Sequence, residues 1–213
     1  YIAPHRRGLP RDSYQDEVRL PVQVAPFAMD RREVPVGDFR AFIRATGFRG
    51  VTLPKRGARG VEKLPVTGVT LAQAMAYCAW RGARLPTAHE WEFAARGTEG
   101  RRWVWGSAEP DGRKANFCDK RCAKAWANPD HDDGHAGLAP VGSYPAGATP
   151  DGLLDMAGNA REWTSTLIPD GRCLVKGGGH DNAIDDLLPA DVRANQWDRG
   201  IPDIGFRCAA ALP

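Results

Sequence analysis

The chain has 213 residues, 42% of them hydrophobic, and this length and composition favour a single domain with one sizeable core. Its formal net charge is only +3 and the basic residues are spread along the chain, which argues against a nucleic-acid partner. No apolar run approaches the roughly 20 residues that a spanning helix requires, so no membrane span is expected in this fragment.

Residues 1–18 are polar, aperiodic and interrupted by prolines, which is typical of a leader or linker. Because the sequence begins at Tyr1 without Met, we interpret it as a cut fragment or a processed form. The folded domain is expected over residues 19–213. Its first predicted element is a short strand at residues 20–27, where the alternation of side chains is broken by proline.

The first predicted helix spans residues 36–45. Phe39, Phe42 and Ile43 have the spacing of one helix face there, and Gly47 follows as a stop signal.

Two further helices are predicted from capping boxes, in which an N-cap hydroxyl and an acid or amide three residues later satisfy free backbone amides. Thr70 and Gln73 begin one of these helices, and Thr87 and Glu90 begin the other. A glycine follows each apolar stretch, so both helices are expected to be short.

Beyond Gly97 the sequence predicts only short elements, with strands at residues 173–177 and 206–210. The chain contains 24 Gly and 17 Pro, which is high for a compact domain and favours many loops. We therefore predict an α+β fold with much irregular structure. Five cysteines are candidate cross-links, and the odd number leaves at least one unpaired within the chain: Cys78, Cys118, Cys122, Cys173 and Cys208.

Six segments occur in a fixed order from about residue 27 to the end of the chain. They read AYCAWRGARLPTAHEWEFAARG, WVWG, APVGSYPA, GLLDMAGNAREW, KGGG and IGFRCA. Together they resemble the formylglycine-generating enzyme (sulfatase-modifying factor) family. The resemblance implies that family's variant of the C-type-lectin fold, which agrees with the loop-rich composition.

The resemblance also implies a structural calcium site in the stretch GLLDMAGNAREW. The family ligands map onto Asp155, Gly158, Ala160 and Glu162, with two carboxylates and two backbone carbonyls as donors. Calcium prefers six to eight hard oxygen ligands, so this set suits it. The alternative is that the two carboxylates only accept hydrogen bonds from loop amides.

A second family calcium loop maps onto Asn116, Phe117, Asp133 and His135, the last through its carbonyl group. The segment HDDGH also allows a transition-metal site formed by His131, Asp133 and His135, or a solvated loop without metal. One or two calcium ions are therefore the expected cofactors.

In the family the cysteines of the AYC and GFRC motifs form a disulfide, which implies a Cys78–Cys208 bridge here. Cys118 and Cys122 permit a local bridge, two free thiols or half of a zinc site; no second pair with suitable spacing supports zinc. Two bridges would place the domain in an oxidising, extracytoplasmic compartment, periplasmic or secreted. Cys173 is expected to be a single buried thiol.

Formylglycine generation in the family resembles thiol oxidation at a copper centre held by two cysteines between the glycine pair and the GFR motif. In this chain residues 179–206 contain no Cys, so neither copper nor formylglycine formation is expected. The same interval offers a candidate ligand-binding surface: His180, Asp181, Asp186, Arg193 and Trp197.

Two functions remain open for this surface. The favoured one is a non-catalytic sensor or recognition module, of the kind fused to bacterial kinases, that binds a protein or peptide or another domain of the parent chain. The alternative is a metal- and oxygen-dependent oxidoreductase without a thiol pair, similar to the branch that acts in pyoverdine maturation, with His180 and Asp181 as acid/base or iron ligands. We expect a bacterial protein in either case.

Overall fold

The computed structural model describes residues 21–55, 57 and 59–212, and the predicted leader at residues 1–18 lies outside them. Three helices and two small sheets are connected by long irregular segments, as the composition predicts. The elements are β1 (Phe27–Met29), α1 (Val36–Thr46), α2 (Leu71–Trp80), α3 (Ala88–Arg96), β2 (Arg161–Leu167), β3 (Cys173–Lys176), β4 (Arg193–Asn195), β5 (Ile204–Gly205) and β6 (Ala209–Ala211). No helix in this part of the chain is both long and apolar enough to cross a membrane.

The larger sheet has the strand order β4-β3-β2-β5. β2 is antiparallel to β3, where Trp163 lies opposite Val175, and parallel to β5, where Arg161 lies opposite Ile204. The smaller sheet pairs β1 with β6 in antiparallel register. The first and last described strands are therefore neighbours.

The three predicted helices are confirmed because their signals are local. Both capping boxes are present, and the backbone amides of Gln73 and Glu90 donate to the N-cap threonines. Gly47 ends α1 in the left-handed region, at φ 69°, where a residue without a Cβ is favoured.

The strand predictions were less accurate. Residues 21–26 form no strand, because Pro21 and Pro26 lack the N–H group that a ladder needs, and pairing begins only at Phe27. Of the strand predicted at residues 206–210, only Ala209 and Ala210 are in a strand, at the start of β6, and the seven-residue β2 was not predicted.

The core consists of two clusters of buried side chains. In the first, Phe39 of α1 and Tyr77 of α2 stack at 5.5 Å between ring centroids, and Phe206 packs against both. The second surrounds Trp91 of α3 and includes Met156. The loop that carries the predicted calcium ligands therefore runs through the interior.

Both predicted disulfides are present. Cys78–Cys208 joins α2 to the segment before β6 across 130 residues of sequence, and Cys118–Cys122 closes a local loop. Cys173 is a free, buried thiol whose Sγ donates to the carbonyl oxygen of Thr164 at 3.0 Å. Burial raises the pKa of this thiol to about 11.

Candidate functional site

One strand of the larger sheet, β2, contributes Glu162 to a buried charged centre. The centre consists of Glu33, Asp155, Glu162 and Arg207. Glu162 and Arg207 are both fully buried, and Arg207 donates through Nε and Nη2 to the two carboxylate oxygens at 2.6–3.0 Å. Trp91 Nε1 also donates to Glu162, at 2.8 Å. The GLLDMAGNAREW and GFRC motifs and α3 therefore meet at one ion pair.

Glu33 is a member of this centre that the sequence analysis missed. It is fully buried and accepts hydrogen bonds from Asn159 Nδ2 at 2.7 Å and from the Ala160 amide at 2.9 Å. Burial and the charges of Asp155 and Glu162 raise its pKa well above the usual value. Its partners are more than 120 residues away in sequence, so the segment MDRREVPV gave no local signal for it.

Three carboxyl groups thus surround the guanidinium of Arg207, and each of them disfavours the ionised form of its neighbours. Asp155 has φ 55° and accepts from the Gly142 amide through Oδ2, whereas its Oδ1 is buried without a hydrogen-bond partner among the described residues. Burial raises the pKa of Asp155. An unpaired buried oxygen in an acidic environment fits a cation ligand, whereas both oxygens of Glu162 already have donors.

The two predicted calcium loops are in direct contact. Gly158 has φ 80°, and a Cβ at this position would collide with the carbonyl oxygen of Asn116. The Asp133 carboxylate accepts from the amides of Phe117 at 2.9 Å and His135 at 2.8 Å. The Asn159 amide also donates to the Asn116 carbonyl at 2.9 Å, so backbone groups of Asn116, Gly158 and Asn159 hold the two loops together.

The side-chain amide of Asn116, in the second loop, uses its nitrogen in hydrogen bonds but not its oxygen. Its Nδ2 donates to the carbonyl of Gly137 and to Asn159 Oδ1, whereas its Oδ1 is buried without a partner in the described part of the chain. The rings of His131 and His135 pack against other aromatic rings. No group of three or more His, Cys, Asp or Glu residues placed to hold a metal ion occurs within the described ranges.

Four of the five predicted ligand-surface residues lie in or beside one charged network. Asp186 Oδ1 and Arg193 Nη2 are 2.9 Å apart, and Arg193 Nε is 3.9 Å from Asp191. Arg161, which the sequence analysis missed, extends the network: it donates to Asn182 Oδ1 at 2.6–2.9 Å. Burial, and then the charge of Arg193, lower the pKa of Arg161.

His180 and Asp181 form the second part of this surface. Burial lowers the pKa of His180, against the opposing effect of the Asp181 carboxylate, so the imidazole is neutral at pH 7. Trp126, a second residue that sequence reasoning missed, donates from Nε1 to the Asp181 carbonyl at 2.8 Å and is 45% exposed. Asp181 Oδ1 is buried and has no hydrogen-bond partner among the described residues.

Trp197 lies apart from this network. Its carbonyl accepts from the Leu71 amide at the beginning of α2, and its ring is 46% exposed. No contact between that ring and His180 or Asp186 is found in the described part of the chain. We keep the name ligand surface for the five predicted residues together with Trp126.

Asn159 connects the ligand surface to the buried charged centre. It adopts φ 61° and its carbonyl accepts from the His180 amide at 2.8 Å. Its side chain bonds both Glu33 and Asn116. One residue in the left-handed region therefore fixes the two calcium loops and the start of the ligand surface relative to each other.

Residues 8–212 match the Sulfatase-modifying factor enzyme 1-like domain family. The chain belongs to this family. This confirms the resemblance drawn from the six motifs, and the mixed, loop-rich fold agrees with a C-type-lectin-like member of it.

Curated relatives in the family differ in their names. The chain is 37% identical over 167 residues to the inactive C-alpha-formylglycine-generating enzyme 2 of Mus musculus, covering 74% of this chain and 53% of the mouse protein. It is 37% identical over 254 residues to the formylglycine-generating enzyme of Streptomyces coelicolor, covering 88% and 79%. A hercynine oxygenase of Mycolicibacterium thermoresistibile is 35% identical over 180 residues, covering 69% and 37%. The chain spans about half the length of the inactive C-alpha-formylglycine-generating enzyme 2 of Mus musculus and of its counterpart in Bos taurus.

Solved structures support the fold. PvdO from Pseudomonas aeruginosa superposes with a TM-score of 0.69 at 22% identity, covering 88% of this chain and 81% of that chain. Treponema denticola variable protein 1 gives a TM-score of 0.67 at 18% identity, covering 87% and 84%. At these identities the similarity extends to the fold alone.

Proposed function

We propose that this domain is a non-catalytic recognition module that binds a cationic segment of a protein or peptide at the ligand surface. The observation that carries the proposal is the composition of residues 179–206: six Asp, two Arg and no Cys. The interval thus has a formal charge of −4, in a chain whose net charge is +3. Complementary charge favours encounter with a basic partner and suppresses acidic ones.

The side chains at this surface support the same function. Asp181 contributes a carboxylate whose Oδ1 has no hydrogen-bond partner among the described residues, and Trp126 and Trp197 are nearly half exposed. Aromatic rings of this kind are common anchors in protein interfaces and bind cations over their faces. Lys124 Nζ already lies 5.8 Å from the Trp126 ring centroid, so that ring face accepts a cation within the chain itself.

We also propose that calcium stiffens the scaffold, held by Asp155, Gly158, Ala160 and Glu162 and, in the second loop, by Asn116, Phe117, Asp133 and His135. Asp155 Oδ1 and Asn116 Oδ1, which have no hydrogen-bond partner among the described residues, support this assignment. The oxygens of Glu162 already accept from Arg207 and Trp91, so Glu162 would share an oxygen with the ion rather than supply a free one. Two disulfides agree with an extracytoplasmic location, which we propose for the domain.

Peptide binding tests the recognition function. Fluorescent peptides that carry arginine, or glutamate at the same positions, are titrated with the domain and followed by anisotropy. We expect only the arginine peptide to bind, and its affinity to fall as ionic strength rises from about 0.05 M to 0.3 M, because screening shortens the range of charge attraction.

Two tryptophan variants provide a matched comparison. Trp197→Ala is expected to weaken arginine-peptide binding about tenfold without lowering Tm, because the ring is exposed. Trp80→Ala removes an equally exposed ring (46%) from the last turn of α2 and is expected to leave binding unchanged. Equal binding of both peptides, or equal loss in both variants, would contradict a specific cationic site.

An oxidoreductase is the second candidate, because His180 is neutral and lies beside Asp181, as an acid/base residue or iron ligand requires. Metal analysis, and oxygen consumption with candidate substrates that contain no thiol, test it. Stoichiometric iron or copper together with oxygen uptake that His180→Ala abolishes would replace the recognition function with the enzyme.

A further inference from the structure

The Cys118–Cys122 disulfide closes a short loop beside the ligand surface. Cys118 is completely buried, whereas Cys122 is partly accessible and its neighbours Arg121 and Ala123 are exposed. The Cys118 amide donates to the carbonyl of Asn182 at 2.9 Å. One half of the bridge is therefore bonded directly to the interval that forms the ligand surface, and the other half belongs to a partly exposed residue.

The chain that leaves this bridge returns to it after contacting the ligand surface. Residues 123–126 are exposed, and the Asn128 amide donates back to the Cys118 carbonyl at 2.9 Å. Between these points Trp126 donates to the carbonyl of Asp181. The disulfide and the Asn128 bond thus close a loop that carries Trp126 onto the surface.

We propose that Cys118–Cys122 is a thiol-exchange site through which a dithiol reductant controls the ligand surface. A reductant thiolate attacks the accessible Cys122 Sγ, the Sγ–Sγ bond breaks, and Cys118 leaves as a thiolate that takes up a proton. The second thiol of the reductant then displaces Cys122 and becomes oxidised to a disulfide. Two electrons and two protons pass to the protein, and the reductant is the only co-reactant.

The two disulfides differ in accessibility, and this difference makes the exchange selective. Cys78 and Cys208 are both buried, at 0% and 2% exposure, and a reagent reaches them only when the core opens. Opening the small loop, by contrast, disturbs exposed residues with few packing contacts. Because a pre-ordered loop binds at lower entropic cost, the reduced form is expected to bind its ligand more weakly.

Timed reduction tests the exchange site. The folded protein is incubated with dithiothreitol, quenched with iodoacetamide and mapped by mass spectrometry. We expect Cys118 and Cys122 to be alkylated while Cys78–Cys208 stays intact. In parallel, the fluorescence difference between wild type and Trp126→Phe should change with the same time course, since Trp126 loses its fixed contact with Asp181.

Binding supplies an independent readout, which rests on the proposed recognition function. The double variant Cys118→Ser/Cys122→Ser should remain folded, bind the arginine peptide about tenfold more weakly, and no longer respond to dithiothreitol. If the oxidised protein binds no peptide, the recognition function fails and the Trp126 signal alone decides the exchange site. The exchange site is overturned if the Cys118–Cys122 bridge survives until unfolding, or if its reduction alters neither the Trp126 signal nor peptide affinity.

Discussion

The buried charged centre and the ligand surface contain the same chemical groups, carboxylates and guanidinium ions, in opposite surroundings. Glu162 and Arg207 are fully buried, whereas the side chains of Asp186 and Arg193 are 18% and 28% exposed. A buried charge that loses its partner has no water to replace it, but a partly exposed one does. Charges in the centre therefore determine whether the chain folds, and charges on the surface can change at little cost.

This difference also separates what the family motifs predict from what they do not. The centre is built from GLLDMAGNAREW and GFRC, two of the segments on which the resemblance rests. Five of the six residues of the ligand surface lie in residues 179–206, which contain no Cys. Family membership consequently predicts the scaffold, and the chemistry of the surface has to be established by experiment.

Cys78–Cys208 lies next to the buried charged centre, since Cys208 follows Arg207, and Cys118–Cys122 lies beside the ligand surface. The largest expected difference between the regions is the loss of stability when each disulfide is removed. On the chain-entropy model, removing Cys78–Cys208, whose cysteines are 130 positions apart, costs about 5 kcal/mol, and removing Cys118–Cys122, whose cysteines are 4 positions apart, costs about 2 kcal/mol. Urea unfolding of the two double Cys→Ser variants measures both values. Equal losses would show that loop length does not determine the effect.

Paired arginine variants test the centre against the surface directly. Arg207→Leu leaves Glu162 buried without its cation and is expected to cost about 3–5 kcal/mol. The same substitution at Arg193 removes a partly exposed ion pair and should cost less than about 1 kcal/mol. Similar free energies of unfolding for the two variants would remove the distinction between the regions.

Calcium should stabilise the centre and not the surface. A ligand at a hundred times its Kd adds about 2.7 kcal/mol, so chelation is expected to lower Tm by about 5–10 °C. Asp155→Asn, which removes the unpaired anionic oxygen, should abolish most of this response, whereas Asp186→Asn should retain it. Identical melting curves after prolonged dialysis against chelator would argue against the site.

The smallest expected effect concerns Cys173, whose thiol has a pKa raised to about 11 by burial. The unfolded thiol ionises near pH 9 and the folded one does not, so stability is complete below pH 9 and falls as the pH rises towards 11. Cys173→Ala should remove that part of the pH dependence, as measured by urea unfolding from pH 8 to 10. An unchanged slope in the variant would mean that burial does not perturb this thiol.

The sequence predicted elements whose signals are local and missed those whose partners are distant. Thr70 and Thr87 each find their capping partner three residues away, and both helices were placed correctly. Glu33 meets Asn159 across 126 residues, and Trp126 meets Asp181 across 55. No spacing rule connects such pairs, so these contacts could come only from the fold.

The strand predictions failed for a related physical reason. Alternation at residues 20–27 resembled a strand, but proline cannot donate to the ladder, and the true pairing depends on where β6 lies. The resemblance, by contrast, identified Cys78 and Cys208 as partners, which no local pattern could have done. Family motifs therefore supplied long-range information that periodicity lacks.

The segment between β4 and β5 has a practical consequence for engineering. It is tied down mainly by main-chain atoms: the Leu71 amide bonds the Trp197 carbonyl, and the Gly68 amide bonds the Ile201 carbonyl. Main-chain bonds tolerate almost any side chain, so residues 196–199 can be randomised as a display loop on a fixed frame. Gly200 sets the boundary of such a library, because a Cβ there would collide with the Gly68 carbonyl oxygen.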